Sequence, residues 1–287
     1  MAAGRIAARM DAVDADLDRW LAFAAWAGAR ATPLFVVALV ALVAITLGLG
    51  WSAHRWGERT AASGTPRPLP VLVRAAAGAL AVLGAAALFA EIVEELDANG
   101  PLGRIDEAFT AALLTHVPLA TLRIFAVVTD LGGPLFLASL VAVVAIALLA
   151  TRRIALAAGW LAATAGNGIL NQALKQIFAR ARPVHADGLV QAEGYSFPSG
   201  HTSGSLVVYG MLAYIALQVL PKRWHPLVLA VAVALAFAVG SSRAFLRVHF
   251  ASDVLAGFAT GTVWLAICIA SVELARWHRA RRVAGAD

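Results

Sequence analysis

Three short clusters in this chain hold side chains suited to handling a phosphate. In the first, Lys175 and Arg182 stand seven residues apart, with Pro183 next. Seven residues are two turns of an α-helix, so a helix through this stretch would put both cations on one face and stop at Pro183. The second, Pro198-Ser199-Gly200-His201, opens an apolar run. Ser199 is a suitable N-cap there, and the free N–H groups and dipole of a helix start attract an anion. The third cluster holds Ser242 and Arg243, then His249 and Asp253. Four apart on a helix, His249 and Asp253 would face each other, and the carboxylate would fix the imidazole tautomer and stabilise its cation. Lysine and arginine grip phosphoryl oxygens through charge-assisted bonds, bidentate for arginine.

Each residue alone has an ordinary structural reading. Lys175 suits snorkelling to the membrane surface, a lone histidine at a helix end is commonly solvated, and Arg243 suits an interface anchor. The conjunction of three cations, two histidines and one carboxylate is what points to phosphoryl chemistry. His201, His249 and Asp253 are also metal-ligand types. Three fixed cations beside them would repel a divalent ion, so no metal and no cofactor is expected. Ser242 reads as a packing residue, Asp130 and Asn167 as packing or capping residues, and His185 as a possible substrate contact beside Asp187.

The elements that must position these clusters are membrane helices. The chain is 61% hydrophobic and 14% charged, whereas a soluble domain carries about 25% charged residues. Seven apolar stretches reach the ~20 residues a span requires: 32–51, 71–90, 128–150, 154–174, 202–220, 226–242 and 253–273. Backbone polar groups must be bonded internally in lipid, so these runs read as helices, and they are too long for barrel strands. Their alanine and glycine content favours close helix packing. The fold class expected is all-α, a polytopic bundle. Residues 5–30 suit an interfacial helix anchored by Trp20 and Trp26, with Pro33 as the break before the first span. Arg104 to His116 has a helical pattern, with Ile105, Phe109 and Leu113 on one face of a surface helix.

Charge gives the orientation. Arg55, Arg59, Arg67, Arg74, Arg152, Arg153, Lys222, Arg223, Arg276, Arg279, Arg281 and Arg282 fall on one side. That side should be cytoplasmic. All three clusters then face outward, and the N-terminus also falls outside, against the pull of its own four arginines. The first 19 residues are polar, with four aspartates, and do not resemble a cleavable signal. Cys268 is the single cysteine, which excludes an intrachain disulfide and a cysteine metal motif. The basic residues are dispersed over short loops, so no nucleic-acid surface is expected.

The three clusters together resemble the signature of the type-2 phosphatidic acid phosphatase family, K-x6-R-P, P-S-G-H and S-R-x5-H-x3-D, with every fixed position matched between Lys175 and Asp253. The resemblance implies a six-span core, here 71–273, preceded by an added segment at 1–70 and followed by a basic tail at 274–287. It implies that His249 attacks phosphorus, Asp253 orients it, and His201 protonates the leaving group and then activates water. Lys175, Arg182, Ser199, Gly200 and Arg243 would cradle the phosphate. The reaction implied is metal-independent hydrolysis of a lipid phosphate in a bacterial cytoplasmic membrane. Phosphatidic acid, phosphatidylglycerol phosphate and a polyprenyl diphosphate all suit it. Two other functions fit the same bundle: transfer of the phosphoryl group to a different hydroxyl, and a non-catalytic transporter or lipid-binding protein. Few ionisable residues lie within the spans, which argues against transport.

Overall fold

Apolar runs in which small residues alternate with Leu, Val and Ile fold here into long helices that satisfy their own backbone. The structure, a computed structural model, describes residues 2–62, 69–184 and 189–284, with side chains described over 15–53, 55, 76–184, 189–278 and 281. Every regular element among the described residues is helical. In chain order the α-helices are α1 (Ala2–Ala29), α2 (Ala31–Ala62), α3 (Leu69–Glu94), α4 (Pro101–His116), α5 (Leu119–Asp130), α6 (Pro134–Ala150), α7 (Ile154–Phe178), α8 (Gly200–Val219), α9 (His225–Phe245) and α10 (Ala251–Ala284), with a short 3-10 turn at Lys222–Trp224.

Among the described residues, six stretches are long and apolar enough to cross a membrane: Ala31–Ala53, Ala76–Glu94, Leu119–Ala150, Gly200–Val219, Lys222–Phe245 and Ala251–His278. α7 runs alongside α6, α8 and α10. Its 25 residues include the buried amides Asn167 and Asn171, which make it more polar than its neighbours. The core is made where α6, α7, α8 and α10 meet around Trp160, Val207 and Met211. Trp160 donates its indole N–H to the Val141 carbonyl at 2.9 Å, so even this fully buried ring has no orphaned donor. Close approach needs small residues: a Cβ on Gly166 would stand 2.3 Å from the Trp264 ring.

One end of the bundle is basic. Arg152, Arg153 and Arg276 line one pocket there with Gln218. The opposite end is closed by aromatic side chains. Phe125 stacks on Phe245 at 4.1 Å, with Phe35 of α2 edge-on at 5.0 Å from Phe125. Phe89 of α3 and Phe178 of α7 clasp Phe197.

Three expectations about elements need correction. The chain turns at Arg30, and Pro33 lies inside the first turn of α2, where its missing N–H costs nothing. The stretch 128–150 is not one helix, because the chain breaks at residues 131–133 between α5 and α6. Gly132 fills that break, and a Cβ there would stand 2.2 Å from a Val239 methyl. The helix expected over Arg104–His116 exists as α4, but it is not a plain surface helix: Gly103, Asp106, Thr110, Ala112 and Leu113 are buried. α1 packs along it, with Gly28 against Ala112 and Phe109. Trp20, Phe23 and Trp26 remain outward on α1.

Candidate active site

The site grows from three helix ends at the aromatic end of the bundle. α7 stops at Phe178, four residues before Arg182, because Ala179 adopts a left-handed conformation (φ 44°) and caps the Lys175 carbonyl at 3.0 Å. Lys175 and Arg182 therefore do not share a helix face, and Pro183 does not end the helix. They converge by another route. Residues 180–182 run against 194–196, with the Ser196 N–H bonded to the Arg180 carbonyl at 2.8 Å and its hydroxyl to the Ala181 carbonyl at 2.8 Å. Lys175 Nζ donates to the Tyr195 carbonyl, and Arg182 Nη2 reaches the same oxygen at 3.1 Å.

The second end is the start of α8. The Phe197–Pro198 peptide is cis. Ser199 occupies the N-cap position, but its hydroxyl makes no capping bond and instead accepts from Thr202 at 2.9 Å. The Ser199 N–H donates to the Asp253 carbonyl at 3.0 Å, which joins the start of α8 to the start of α10. Gly200 is required by space: a Cβ would lie 2.8 Å from Asn171 Oδ1. His201 follows in the first turn of α8.

The third end lies between α9 and α10. Arg243, 2% exposed, donates from Nη1 to the Thr129 hydroxyl at 2.7 Å, while its buried Nε makes no hydrogen bond among the described residues. Ser242 bonds its own helix at Val239, as a packing residue does. Arg247 takes a left-handed turn (φ 52°), after which the N–H groups of Val248 and His249 both point to the Arg243 carbonyl. His249 precedes α10 by two residues and so is not helical. The pairing with Asp253 nevertheless forms, with Nδ1 3.4 Å from Oδ2. That oxygen also accepts the Phe250 N–H at 2.9 Å.

On its other side, His249 meets Arg182. Arg182 Nη1 lies 3.1 Å from His249 Nε2 and 2.7 Å from the Val248 carbonyl. Burial pushes His249 down to about 4, Asp253 only partly opposing it. The ring is then neutral near pH 7. With Nδ1–H directed at Asp253, the lone pair is on Nε2, the nitrogen that faces Arg182. Burial also lowers Arg182, against the pull of Asp253. Of the residues singled out in the sequence, Lys175, Arg182, Ser199, His201, Arg243, His249 and Asp253 are linked through these contacts or through their mutual fields. Asp130 acts on Arg243, and Asn167 bonds Ser203 at 3.4 Å. His185 lies outside the described residues. Among the described residues, no three His, Cys, Asp or Glu side chains are grouped to hold a metal ion.

Two charged residues of this site were not singled out in the sequence. Arg180 Nη1 bonds Asp253 Oδ1 at 2.7 Å, and its Nη2 bonds Asp106 Oδ2 at 2.8 Å. Arg180 hides among the six unspecified positions between Lys175 and Arg182. Asp106 carried a legible signal, since it lies on the inward stripe of α4 with Thr110 and Leu113.

A cavity of about 520 Å³ opens between α6, α7 and α8. Leu137, Val141, Leu161 and Val207 line its apolar part, and Gly200 and His201 form one edge.

Residues 156–277 match the PAP2 superfamily. Phosphatidylglycerophosphatase B of Bacillus subtilis (strain 168) is 34% identical over 159 residues, 54% of this chain and 77% of that protein. The crystal structure of a transmembrane PAP2-type phosphatidylglycerolphosphate phosphatase from Bacillus subtilis superposes with a TM-score of 0.61 at 28% identity, covering 68% of this chain and 96% of the other.

Proposed function

Since this chain belongs to the PAP2 superfamily and is a membrane lipid phosphatase, we propose that it hydrolyses the phosphomonoester of phosphatidylglycerol phosphate through a phosphohistidine on His249. The observation that carries the mechanism is the pair of contacts on one imidazole: Asp253 at Nδ1 and Arg182, a phosphate-binding cation, at Nε2. The similarity to the Bacillus subtilis phosphatidylglycerophosphatase supports the substrate.

The steps follow from the residues. Arg182, Lys175 and Arg243 take the phosphoryl oxygens, with the Gly200 N–H and Ser199 at the α8 N-terminus completing the cradle. Arg182 turns its Nη1 from His249 to the phosphate, which frees Nε2. The Nε2 lone pair attacks phosphorus, the P–O bond to the lipid breaks, and protonated His201 gives its proton to the departing alkoxide. Neutral His201 then takes a proton from water. The hydroxide attacks phosphorus, the P–N bond breaks, and the lone pair returns to Nε2. Asp253 steadies the imidazole while it carries positive charge. The three cations supply the charge stabilisation that a divalent ion supplies elsewhere, so no metal takes part.

The apolar cavity beside His201 takes the lipid's hydrocarbon chain. The catalytic unit is residues 71–273, with 1–70 an addition and 274–287 a basic tail. The basic end faces the cytoplasm and the site faces outward from the cytoplasmic membrane.

The test is phosphate release by purified protein in detergent with EDTA, for wild type and His249→Ala. Phosphatidylglycerol phosphate, phosphatidic acid and undecaprenyl diphosphate are offered in parallel. Release that survives EDTA, is fastest from phosphatidylglycerol phosphate and disappears in the variant is the expected result. Activity in His249→Ala, or a requirement for metal, overturns the mechanism. A faster reaction with either other lipid overturns the substrate.

A further inference from the structure

We infer that Arg180 and Asp106 are positioning residues for the nucleophile: with Asp253 they form a buried chain of alternating charge that fixes the Asp253 carboxylate and leaves one net negative charge facing His249. This rests on the reading of His249 as nucleophile and adds two residues that are not among the fixed positions of the three sequence clusters.

The chain of contacts is continuous. Arg180 Nη1 bonds both Asp253 Oδ1 and the Ser252 hydroxyl at 2.7 Å. Its Nη2 bonds Asp106 Oδ2 at 2.8 Å. Asp106 Oδ1 accepts the Ser252 N–H at 3.1 Å, and its other oxygen accepts the Ser252 hydroxyl. The guanidinium carbon also lies 4.4 Å from the centre of the Phe250 ring. The side chains of Arg180, Asp106 and Asp253 are 9%, 3% and 0% exposed. Each oxygen of Asp253 thus has its own donor: Arg180 on Oδ1, and Phe250 N–H with His249 Nδ1 on Oδ2. The plane of the carboxylate is set, and with it the direction in which Nε2 points.

Arg180 is not a phosphate ligand. Its fork is held by two buried carboxylates and the Ser252 hydroxyl, whereas the fork of Arg182 meets no carboxylate, only backbone carbonyls and His249 Nε2. Nor is the triad a stability device by default, because buried ion pairs seldom repay the desolvation of their charges.

The charge count explains why two carboxylates are needed. Arg180 and Asp253 alone would be a neutral pair, and His249 would meet only the positive field of Arg182 and Arg243, with Lys175 beyond. Asp106 neutralises Arg180 and restores the negative charge of Asp253 to the imidazole. Burial raises Asp106, but Arg180 and Ser252 act to keep it ionised. In Arg180, burial is outweighed by the two carboxylates, so its charge is secure. The other titratable groups around the imidazole are His201 on α8 and, through Arg243, Asp130 on α5. Only an arginine fork can bridge two carboxylates in this way.

The experiment compares wild type, Asp106→Asn, Arg180→Lys and His249→Ala by phosphate release across pH, with thermal melting as the control for folding. Asp106→Asn leaves Arg180 uncompensated, so protonated His249 is disfavoured and the acid limb of kcat/KM moves to lower pH. Its kcat falls about 10- to 100-fold, as misplacement of a reacting group does, with KM within about twofold. Arg180→Lys keeps the charge but loses the fork, so kcat falls comparably while the acid limb stays in place. Wild-type kcat and pH profile in both variants overturn the proposal, whether or not the melting temperature drops. So does a raised KM at unchanged kcat, which would make Arg180 a substrate contact. If Asp106→Asn shows no cooperative melting, Arg180→Lys decides alone, and wild-type kcat there overturns the proposal. Phosphate release by His249→Ala overturns the underlying nucleophile reading instead, so the two failures are separable.

Discussion

Arg182 Nη1 stands 3.1 Å from His249 Nε2, so in the proposed mechanism the nitrogen that attacks phosphorus is covered by the cation that binds it. On that mechanism an arriving phosphate draws the guanidinium away and uncovers the imidazole in one exchange. Arg182→Ala removes one charged donor, and kcat/KM is expected to fall about 100- to 1,000-fold, the scale for losing one transition-state donor. The inhibition constant for inorganic phosphate should rise with it. Unchanged phosphate inhibition would mean that Arg182 does not touch the anion.

The pH dependence follows from His249. Its folded value lies near 4, below the ordinary histidine range, because burial disfavours the cation. A nucleophile must be unprotonated, so activity persists as pH falls through 6.5 and is lost only as it falls through about 4. The check is kcat/KM between pH 4 and 8 on protein shown to remain folded. A half-loss of activity near 6.5 would contradict the buried, neutral ring.

Gly200 offers a test of geometry. Its missing side chain leaves room for Asn171, whose oxygen would be 2.8 Å from a new Cβ. Gly200→Ala should lower kcat at least tenfold by displacing the start of α8. Adding Asn171→Ser, which shortens the obstructing side chain, should recover part of the loss. No recovery would place the harm in the backbone rather than in the clash.

The cavity between α6, α7 and α8 can be filled without strain. Gly168 lines it, and a Cβ there meets no atom within 4 Å. Gly168→Leu is expected to raise KM about tenfold for a long-chain substrate, roughly two methylenes' worth of lost burial. It should leave a short-chain, water-soluble phosphate unaffected. Equal effects on both substrates would remove the cavity from lipid binding.

What the sequence disclosed about this site was composition and order rather than path. Lys175, His201, Arg243, His249 and Asp253 stand out by type and spacing, and the structure brings them to neighbouring helix ends. The path between them is set by backbone choices with little local signature. A left-handed alanine at 179 ends α7 early, and a left-handed arginine at 247 turns the chain before His249. Neither residue type announces such a conformation, as glycine or asparagine would. Asp106 shows a different limit. It bonds a residue 74 positions away, and periodicity within α4 says only that an acid faces inward, not what it meets. The apolar helices themselves were legible almost throughout, because lipid leaves a backbone no alternative. The exception at residues 131–133 is a break of three residues that hydropathy passes over.

The hydrogen bond from the Ser199 N–H to the Asp253 carbonyl fastens the beginning of α8 to the beginning of α10. His201 rides on one side of that fastening and the Asp253–His249 pair on the other. In the proposed mechanism these are proton donor and phosphoryl acceptor, so a bilayer that thins, thickens or tilts the bundle acts on two helix starts already tied to each other. The tie gives the reach between the two histidines a support inside the protein, separate from the lipid around it.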